Sequence, residues 1–342
     1  MRALSTAVAW GMAAASYRLS ENTMTPGLKD TLVTLIGGGG FVGRYVAQDL
    51  LKAGARVRIA QRDPRDAWFL KPLGGLGQTQ FVAADMTRPE TVARAITGSD
   101  AVINLVGAFS GDLQMLHVSG PAHVAAAAKA EGVKAFIHIS AIGADPESPS
   151  RYGRTKGEGE VAVRAAFPDA IIVRPSTVFG REDRFVNRFA GMIATASDMP
   201  LVHLLPVLRA KAKFQPLFVG DLAAAITTAL GDPTQASNTF ELGGPDQITM
   251  GNLIRWIARM VEREPDIVEL PDIAGEAISL FGFLPGAPIT RDQWLMLQKD
   301  AVASGTLPGL KDLGVTPTPL AAVAPAWLVR FRRHGRFARA AA

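Results

Sequence analysis

An apolar run at residues 31–36 passes with no linker into Gly37-Gly38-Gly39-Gly40-Phe41-Val42-Gly43-Arg44. Four consecutive glycines alone describe a plain flexible turn. A strand before them and a helix after them restrict the chain far more, because Gly37, Gly40 and Gly43 then fall in the register G-x-x-G-x-x-G. Gly37 permits a tight exit from the strand, Gly40 lets a diphosphate reach backbone N–H groups, and Gly43 lets helix and strand pack closely. The helix starting near Phe41 directs its positive end at the phosphates. Gly37, Gly40, Phe41, Val42 and Gly43 are therefore the candidate diphosphate-holding residues.

The rest of the N-terminal half agrees with that turn. Residues 31–36, 56–61, 79–82, 101–106, 135–139 and 170–173 read as strands, and helical patterns fall at 42–53, 89–97, 114–131 and 152–167. Such alternation predicts a parallel sheet, because right-handed crossovers lay helices on both faces. Strands covered on both faces should be nearly all apolar, as several of these are. After Gly180 the rhythm changes: prolines and glycines thicken, and helices without intervening strand pairs are expected, two of them starting at Thr249 and Thr290. Residues 214–219, behind Lys211 and Lys213, read as a returning strand. The predicted fold is α/β, a Rossmann-type doubly wound parallel sheet with a smaller, mainly helical C-terminal lobe. The expected divisions are an extension at 1–30, a dinucleotide-binding domain at 31–180, the lobe at 181–330 and a basic tail at 331–342.

Composition narrows the chemistry. The 342 residues contain no cysteine, which excludes disulfides, zinc–thiolate sites, iron–sulfur clusters and thiol catalysis. The five histidines show no ligand spacing, so no metal site is expected, and His138 within a strand reads as structural. The net charge of +5 comes from Arg330, Arg332, Arg333, Arg336 and Arg339; the remaining 31 basic residues equal the 31 acidic ones. A balanced body speaks against nucleic acid as a partner, since phosphate contacts need a basic surface. The tail mixes these arginines with Trp327, Phe331 and Phe337, suiting anionic lipid or an acidic partner subunit. No apolar run reaches the roughly 18 residues of a spanning helix. Arg2, Arg18 and the lack of an acid before Glu21 make the first twenty residues a dispensable extension, a mitochondrial-type transit peptide or a weak secretory signal. The expected location is the bacterial cytoplasm or the cytoplasmic face of the inner membrane, or the matrix side in a mitochondrion.

The second strand bears on which nucleotide is held. It ends Gln61-Arg62-Asp63. A site for NAD(H) usually places an acid at this strand end for the ribose hydroxyls, whereas an arginine can bond a 2′-phosphate. Arg62 favours NADP(H), and Asp63 keeps NAD(H) open. Asp85 and Met86 after the third strand are expected beside the adenine, and Asn104, Leu105, Val106 and Gly107 after the fourth along the cofactor.

Tyr152-Gly153-Arg154-Thr155-Lys156 opens a helix, and its spacing of four sets the phenol and the ammonium on one face. A phenol titrates near 10, and an adjacent ammonium favours its anion; a drop of about three units needs about 4 kcal/mol. Tyr152 is thus a candidate acid/base, with Lys156 able to bond the nicotinamide ribose.

Together the glycine register and the Y-x-x-x-K sequence resemble the short-chain dehydrogenase/reductase superfamily, in its extended or atypical branch. Five phrases resemble the NADPH-binding accessory subunit of respiratory complex I, the alpha-subcomplex subunit 9 family: Phe136-Ile137-His138-Ile139-Ser140, Ser150-Arg151-Tyr152, Arg181-Glu182-Asp183-Arg184-Phe185, Ile289-Thr290-Arg291-Asp292 and Leu307-Pro308-Gly309-Leu310. That resemblance implies a tightly held NADPH, complex I subunits as partners and a place near the membrane and the quinone site. It also implies that Pro175, Ser176, Thr177 and Val178 lie beside the nicotinamide. Active extended members carry Ser-Ser or Ser-Thr after the fifth strand; here the pair is Ser140-Ala141, which leaves Ser140 one place early as a catalytic residue. The leading expectation is a structural or stabilising subunit with bound NADP(H). The alternatives are an active NADP-dependent reductase, epimerase or quinone-pathway oxidoreductase using Tyr152 and Lys156, or a regulator responsive to the NADPH/NADP ratio.

Overall fold

The structure, a computed structural model, describes residues 27–198, 203–284 and 289–335. The expected extension up to residue 26 and the tail from 336 lie outside them. The described residues begin before the expected boundary at 30. Leu28 is buried in the core, and the Asp30 amide donates to Gly54 O at 3.0 Å.

The first half is built as β1 (Leu32–Ile36), α1 (Phe41–Lys52), β2 (Arg56–Gln61), β3 (Thr79–Ala83), α2 (Pro89–Ile96), β4 (Ala101–Asn104), α3 (Gly120–Ala130), β5 (Ala135–Ile139), α4 (Arg151–Ala166) and β6 (Ile171–Pro175). Side-chain alternation along each strand gives the sheet two apolar faces. Val33, Leu35, Val57, Ile59, Ile103, Ile137 and Val173 join one core with α1. Ile36, Ala60, Val102, Phe136 and Ile172 join the opposite core with α2, α3 and α4. Each fully buried side chain of this size contributes about 1.5–3 kcal/mol, and truncating Phe136 to alanine would cost about 3–5 kcal/mol.

The chain continues through β7 (Val178–Phe179), α5 (Val186–Asp198), β8 (Leu204–Val207), β9 (Lys213–Phe214), β10 (Leu217–Phe218), α6 (Val219–Gly231), β11 (Thr239–Leu242), β12 (Ile248–Thr249), α7 (Met250–Met260), β13 (Asp266–Glu269), α8 (Asp272–Leu280) and α9 (Arg291–Met296). Part of this segment rejoins the sheet. β11 pairs in parallel with β6, Phe240 opposite Val173, and α6 packs against α1 with Leu222 and Ile226 in the first core. The seven parallel strands run in the order β11-β6-β5-β4-β1-β2-β3. The expected division at residue 180 therefore cuts through the sheet domain, and the lobe is an excursion from it.

The lobe has its own core, with Phe179, Val186, Ile193, Leu205, Leu253, Ile257 and Trp327 among its members. Helices dominate it, yet strand pairs that the sequence pattern did not reveal are present: β10 with β7, β12 with β9, and β13 with β8. Pro216, which has no N–H to donate, separates β9 from β10 within the expected strand at 214–219. The expected helix starts hold. Thr249 accepts from the Asn252 amide, and Thr290 forms a capping box with Gln293.

Candidate functional site

The strand order reverses between β1 and β4, and in a doubly wound sheet a crevice opens beyond the strand ends at that point. Gly37 leaves β1 with φ at +79°, a conformation costly for any residue with a Cβ. Its amide donates to Ala60 O at 2.8 Å, and a Cβ would lie 2.9 Å from Val106 Cγ2. A Cβ at Gly43 would lie 2.4 Å from Gly38 O, so α1 can reach the turn only with glycine there. Gly40 differs: a Cβ there would meet only Gly37 O, at 3.4 Å. The protein's own packing does not demand glycine at that position, so the space at Gly40 suits a ligand approaching the backbone. Gly40 is also the N-cap of α1 and gives it no side-chain cap, leaving the first-turn amides without a side-chain acceptor. An uncapped helix start behind an open glycine fits a diphosphate.

Gln61 completes this turn. Its Oε1 accepts from the Gly39 amide at 2.9 Å, and its Nε2 donates to Asp63 O at 2.7 Å. Asp63 is engaged within the protein: it caps the 3₁₀ turn Pro64–Leu73 and binds the Arg65 guanidinium at 2.9 and 2.6 Å. Those bonds hold its carboxyl down at about 2. Arg62 is exposed at the end of β2. Asp85 accepts from the Thr87 amide and hydroxyl at 2.9 and 2.8 Å; these bonds, with Arg62 and Arg88 nearby, hold it below the usual carboxylate range. Met86 is buried behind it.

Several expected lining residues prove to be framework. Asn104 is fully buried, with Nδ2 3.1 Å from His138 Nδ1 and Oδ1 accepting from the Val106 amide at 3.2 Å. Its side chain braces the turn through Leu105, Val106 and Gly107. The Ser176 hydroxyl donates to Ala301 O at 3.0 Å, Pro175 O accepts from the Ile142 amide, and Thr177 and Val178 meet Leu217 of β10 in the two-stranded β7–β10 pair. Of that stretch, the side chain of Ser176 is committed to the protein itself.

Tyr152 and Lys156 do share a face of α4, but their ionisation differs from expectation. Lys156 Nζ donates to Ile139 O at 3.0 Å, and burial lowers its titration to about 8, partly offset by Glu160. Glu160 is itself clasped by Arg174 at 2.9 and 2.7 Å. Burial pushes the Tyr152 phenol above its ordinary value, so the expected lowering by Lys156 is absent. The Tyr152 ring stacks on Phe109 with centroids 4.6 Å apart and meets the His117 ring edge-on at 5.3 Å. Ser140 lies at the end of β5, its amide bonded to Val173 O at 2.7 Å and its buried hydroxyl without a partner among the described residues. An orphaned hydroxyl at this strand end is a polar atom left for a ligand.

Three residues around α4 were not among the expected site residues. A π-turn at Met115–Ser119 presses against α4 so closely that a Cβ at Gly159 would lie 1.9 Å from His117 O. His117 Nε2 accepts from the Ala108 amide at 3.2 Å, which makes Nδ1 the donor to Thr155 Oγ1 at 2.9 Å. Burial, reinforced by Lys156, lowers His117 to about 3 and keeps it neutral. From the lobe, Asp292 accepts from the Arg151 and Tyr152 amides at 2.5 and 3.1 Å, capping α4 across the chain. Phe109, the third, covers Tyr152.

Residues 33–243 match the NAD dependent epimerase/dehydratase family. The chain belongs to that family. It is 38% identical over 296 residues to the mitochondrial NADH dehydrogenase [ubiquinone] 1 alpha subcomplex subunit 9 of Mus musculus, covering 84% of this chain and 77% of that protein. It is 28% identical over 266 residues to the ceramide reductase of Caulobacter vibrioides, covering 75% and 80%. The Escherichia coli NADPH-dependent quinone oxidoreductase QOR2, solved with NADPH, shares the fold at a TM-score of 0.70 and 20% identity, covering 86% of this chain and 99% of that one. The resemblance to subunit 9 drawn from the five phrases is thereby supported over most of the chain, and the fold is an NAD(P)-binding one. Among the described residues no helix is long and apolar enough to cross a membrane, and no group of acidic or histidine side chains could hold a metal ion.

Proposed function

We propose that this chain is an accessory subunit associated with respiratory complex I that holds NADP(H) mainly as a stabilising ligand. The observation that carries the reading is the 38% identity to subunit 9, which runs well beyond the family segment and into the lobe. The backbone at Gly37, Gly40, Phe41, Val42 and Gly43 would hold the diphosphate, Arg62 the 2′-phosphate, and Lys156 the nicotinamide ribose. Asp85 and Met86 would border the adenine. The preference for NADP(H) over NAD(H) rests on Arg62 being exposed while Asp63 is engaged by Arg65. When bound, the dihydronicotinamide supplies a hydride donor. Around it, this chain keeps the Tyr152 phenol protonated and offers at Ala141 no hydroxyl to polarise a carbonyl. A ligand that binds only the folded state adds about 2.7 kcal/mol of stability at a hundred times its Kd.

Its partners would be complex I subunits, and its location the face of the energy-transducing membrane that carries the peripheral arm, the matrix side in a mitochondrion. The tail is a weaker candidate for lipid than its composition suggests. Arg332 is paired with Glu262 at 2.7 Å and bonded to Met260 O, while Trp327 is buried.

Calorimetry with NADPH, NADP+, NADH and NAD+ tests the nucleotide half. Arg62→Ala should weaken NADPH binding by about tenfold or more, as loss of a charge-assisted contact does, and leave NADH binding unchanged. Equal affinity for all four nucleotides would refute the preference. A native pull-down tests the partner half: recovery of the chain without any complex I subunit would refute it.

The intact Tyr152–Lys156 pair, with the 28% identity to a ceramide reductase, favours an active NADP-dependent reductase as the second reading. Steady NADPH oxidation with a carbonyl or quinone substrate, abolished by Tyr152→Phe, would establish it over the first.

A further inference from the structure

Phe109 stands out among the exposed large apolar residues because it lies on the candidate site. It follows Gly107 and Ala108, between β4 and the π-turn, and is 65% exposed. Its ring stacks on Tyr152 at 4.6 Å with 17° between the planes. His117 covers another side of the same ring, and α4 carries Tyr152 from behind, its first turn fixed by Asp292. The segment is anchored just before the phenylalanine, where the Ala108 amide bonds His117 Nε2. The consequence is that the outer face of Tyr152 is taken by the protein itself.

We propose that Phe109 is a built-in plug, occupying the face of Tyr152 that a flat, reducible ring would need and closing the candidate site to turnover. The inference rests on the reading above that the chain holds its nucleotide without reacting it, and supplies a reason beyond the missing hydroxyl at Ala141. The blocked class is planar quinoid or aromatic molecules, whose rings would stack on the same face that Phe109 occupies. Small aliphatic carbonyls would be hindered less.

Radical nitration of Tyr152 by peroxynitrite, which does not require the phenolate, followed by peptide mass spectrometry, reads the plug directly. Phe109→Ala should raise the rate about tenfold, on the scale of a lost aromatic stack, while Phe109→Tyr stays protected. Tyr45, whose hydroxyl bonds Glu182 away from this segment, is the internal control for the fold. Equal Tyr152 rates in the natural chain and Phe109→Ala would overturn the proposal. The second arm follows NADPH oxidation with menadione, in which a hydride from NADPH and a proton from solvent yield the quinol and NADP+. Phe109→Ala combined with Ala141→Ser should turn over at least tenfold faster than Ala141→Ser alone. Full activity of Ala141→Ser with Phe109 in place would overturn the plug. Failure of every variant to bind NADPH would sink the functional reading instead, and the nitration rates would still decide the plug.

Discussion

Replacing Asp292 by alanine should loosen the first turn of α4 while leaving the sheet intact. The carboxylate arrives from the lobe, 141 positions along the chain, and accepts from the Arg151 and Tyr152 amides at 2.5 and 3.1 Å. A hydrogen bond to a charged group contributes about 1.5–3 kcal/mol, and a carboxylate at a helix N-terminus adds about 0.3–1 kcal/mol. Both ends of this contact are partly exposed, and water replaces part of what is lost. The low end therefore applies, about 1.5–2 kcal/mol for the pair. Amide hydrogen exchange reads this locally: Arg151 and Tyr152 should exchange about ten to thirty times faster in Asp292→Ala. Gly153 provides the contrast, because its amide is held at 3.2 Å by the neighbouring cap Ser150. Its protection should persist. Asp292→Asn, which keeps an acceptor without the charge, should fall between. If Arg151 and Tyr152 keep their natural exchange rates in Asp292→Ala, the lobe does not hold α4 and the argument fails. If Gly153 loses protection equally, the variant has destabilised the whole domain and the local account is wrong.

Gly43→Ala should cost about 1–3 kcal/mol in urea unfolding, since its Cβ meets the Gly38 backbone, whereas Gly40→Ala should leave stability nearly unchanged and weaken nucleotide binding instead. A large stability loss at Gly40 would contradict that division. His117 titrates at about 3 in the fold against 6.5, so its contribution is intact above pH 6.5 and fades as pH falls towards 3; by pH 5 about 2 kcal/mol should be lost, and His117→Gln should flatten that limb of the urea midpoint. An unchanged slope would show that His117 protonates freely in the fold. Lys156 runs the other way in pH: its buried ammonium penalises the fold fully below about 8, and the penalty, about 3 kcal/mol, lifts as pH rises from 8 to 10.5. Lys156→Met should abolish this alkaline gain; persistence of the gain in the variant would assign it elsewhere.

How much of this could be read from residues alone depended on the range of the interaction. The glycine turn and the first six strands were legible because each is a local pattern: an apolar run, a break, a helical period. β11 was not, since Thr-Phe-Glu-Leu carries nothing that names β6 as its neighbour, and the return of α6 to α1 is equally long-range. Function suffered the same limit. Asn104 and Ser176 sit at strand ends where ligand-facing residues belong, and only the positions of His138 and Ala301 show that their side chains are engaged internally. Spacing correctly put Tyr152 and Lys156 on one face, but it could not supply the dielectric. The ammonium meets Ile139 O, and burial raises the phenol it was expected to acidify. His117 comes to Thr155 only through the π-turn and the missing Cβ at Gly159, neither of which has a periodic signature.

These contacts also bear on what a bound nucleotide would have left to do. α4 is fixed at its start by Asp292 and Ser150, along its side by His117 through Thr155, and at Lys156 by the carbonyl of β5. Little ordering of that helix remains to oppose binding, so the affinity would not be reduced by the entropy of assembling the site. The same rigidity leaves few degrees of freedom for a catalytic cycle. A reductase that closes and opens around successive substrates draws on its least stable elements; here the element carrying the tyrosine is held from three sides and its outer face is covered. On the reading proposed above, that arrangement predicts tight retention with slow or absent turnover. The nucleotide off-rate measures it: slow exchange of labelled NADPH with no substrate-driven oxidation would agree with a holder, while exchange on the timescale of seconds would point back to an enzyme.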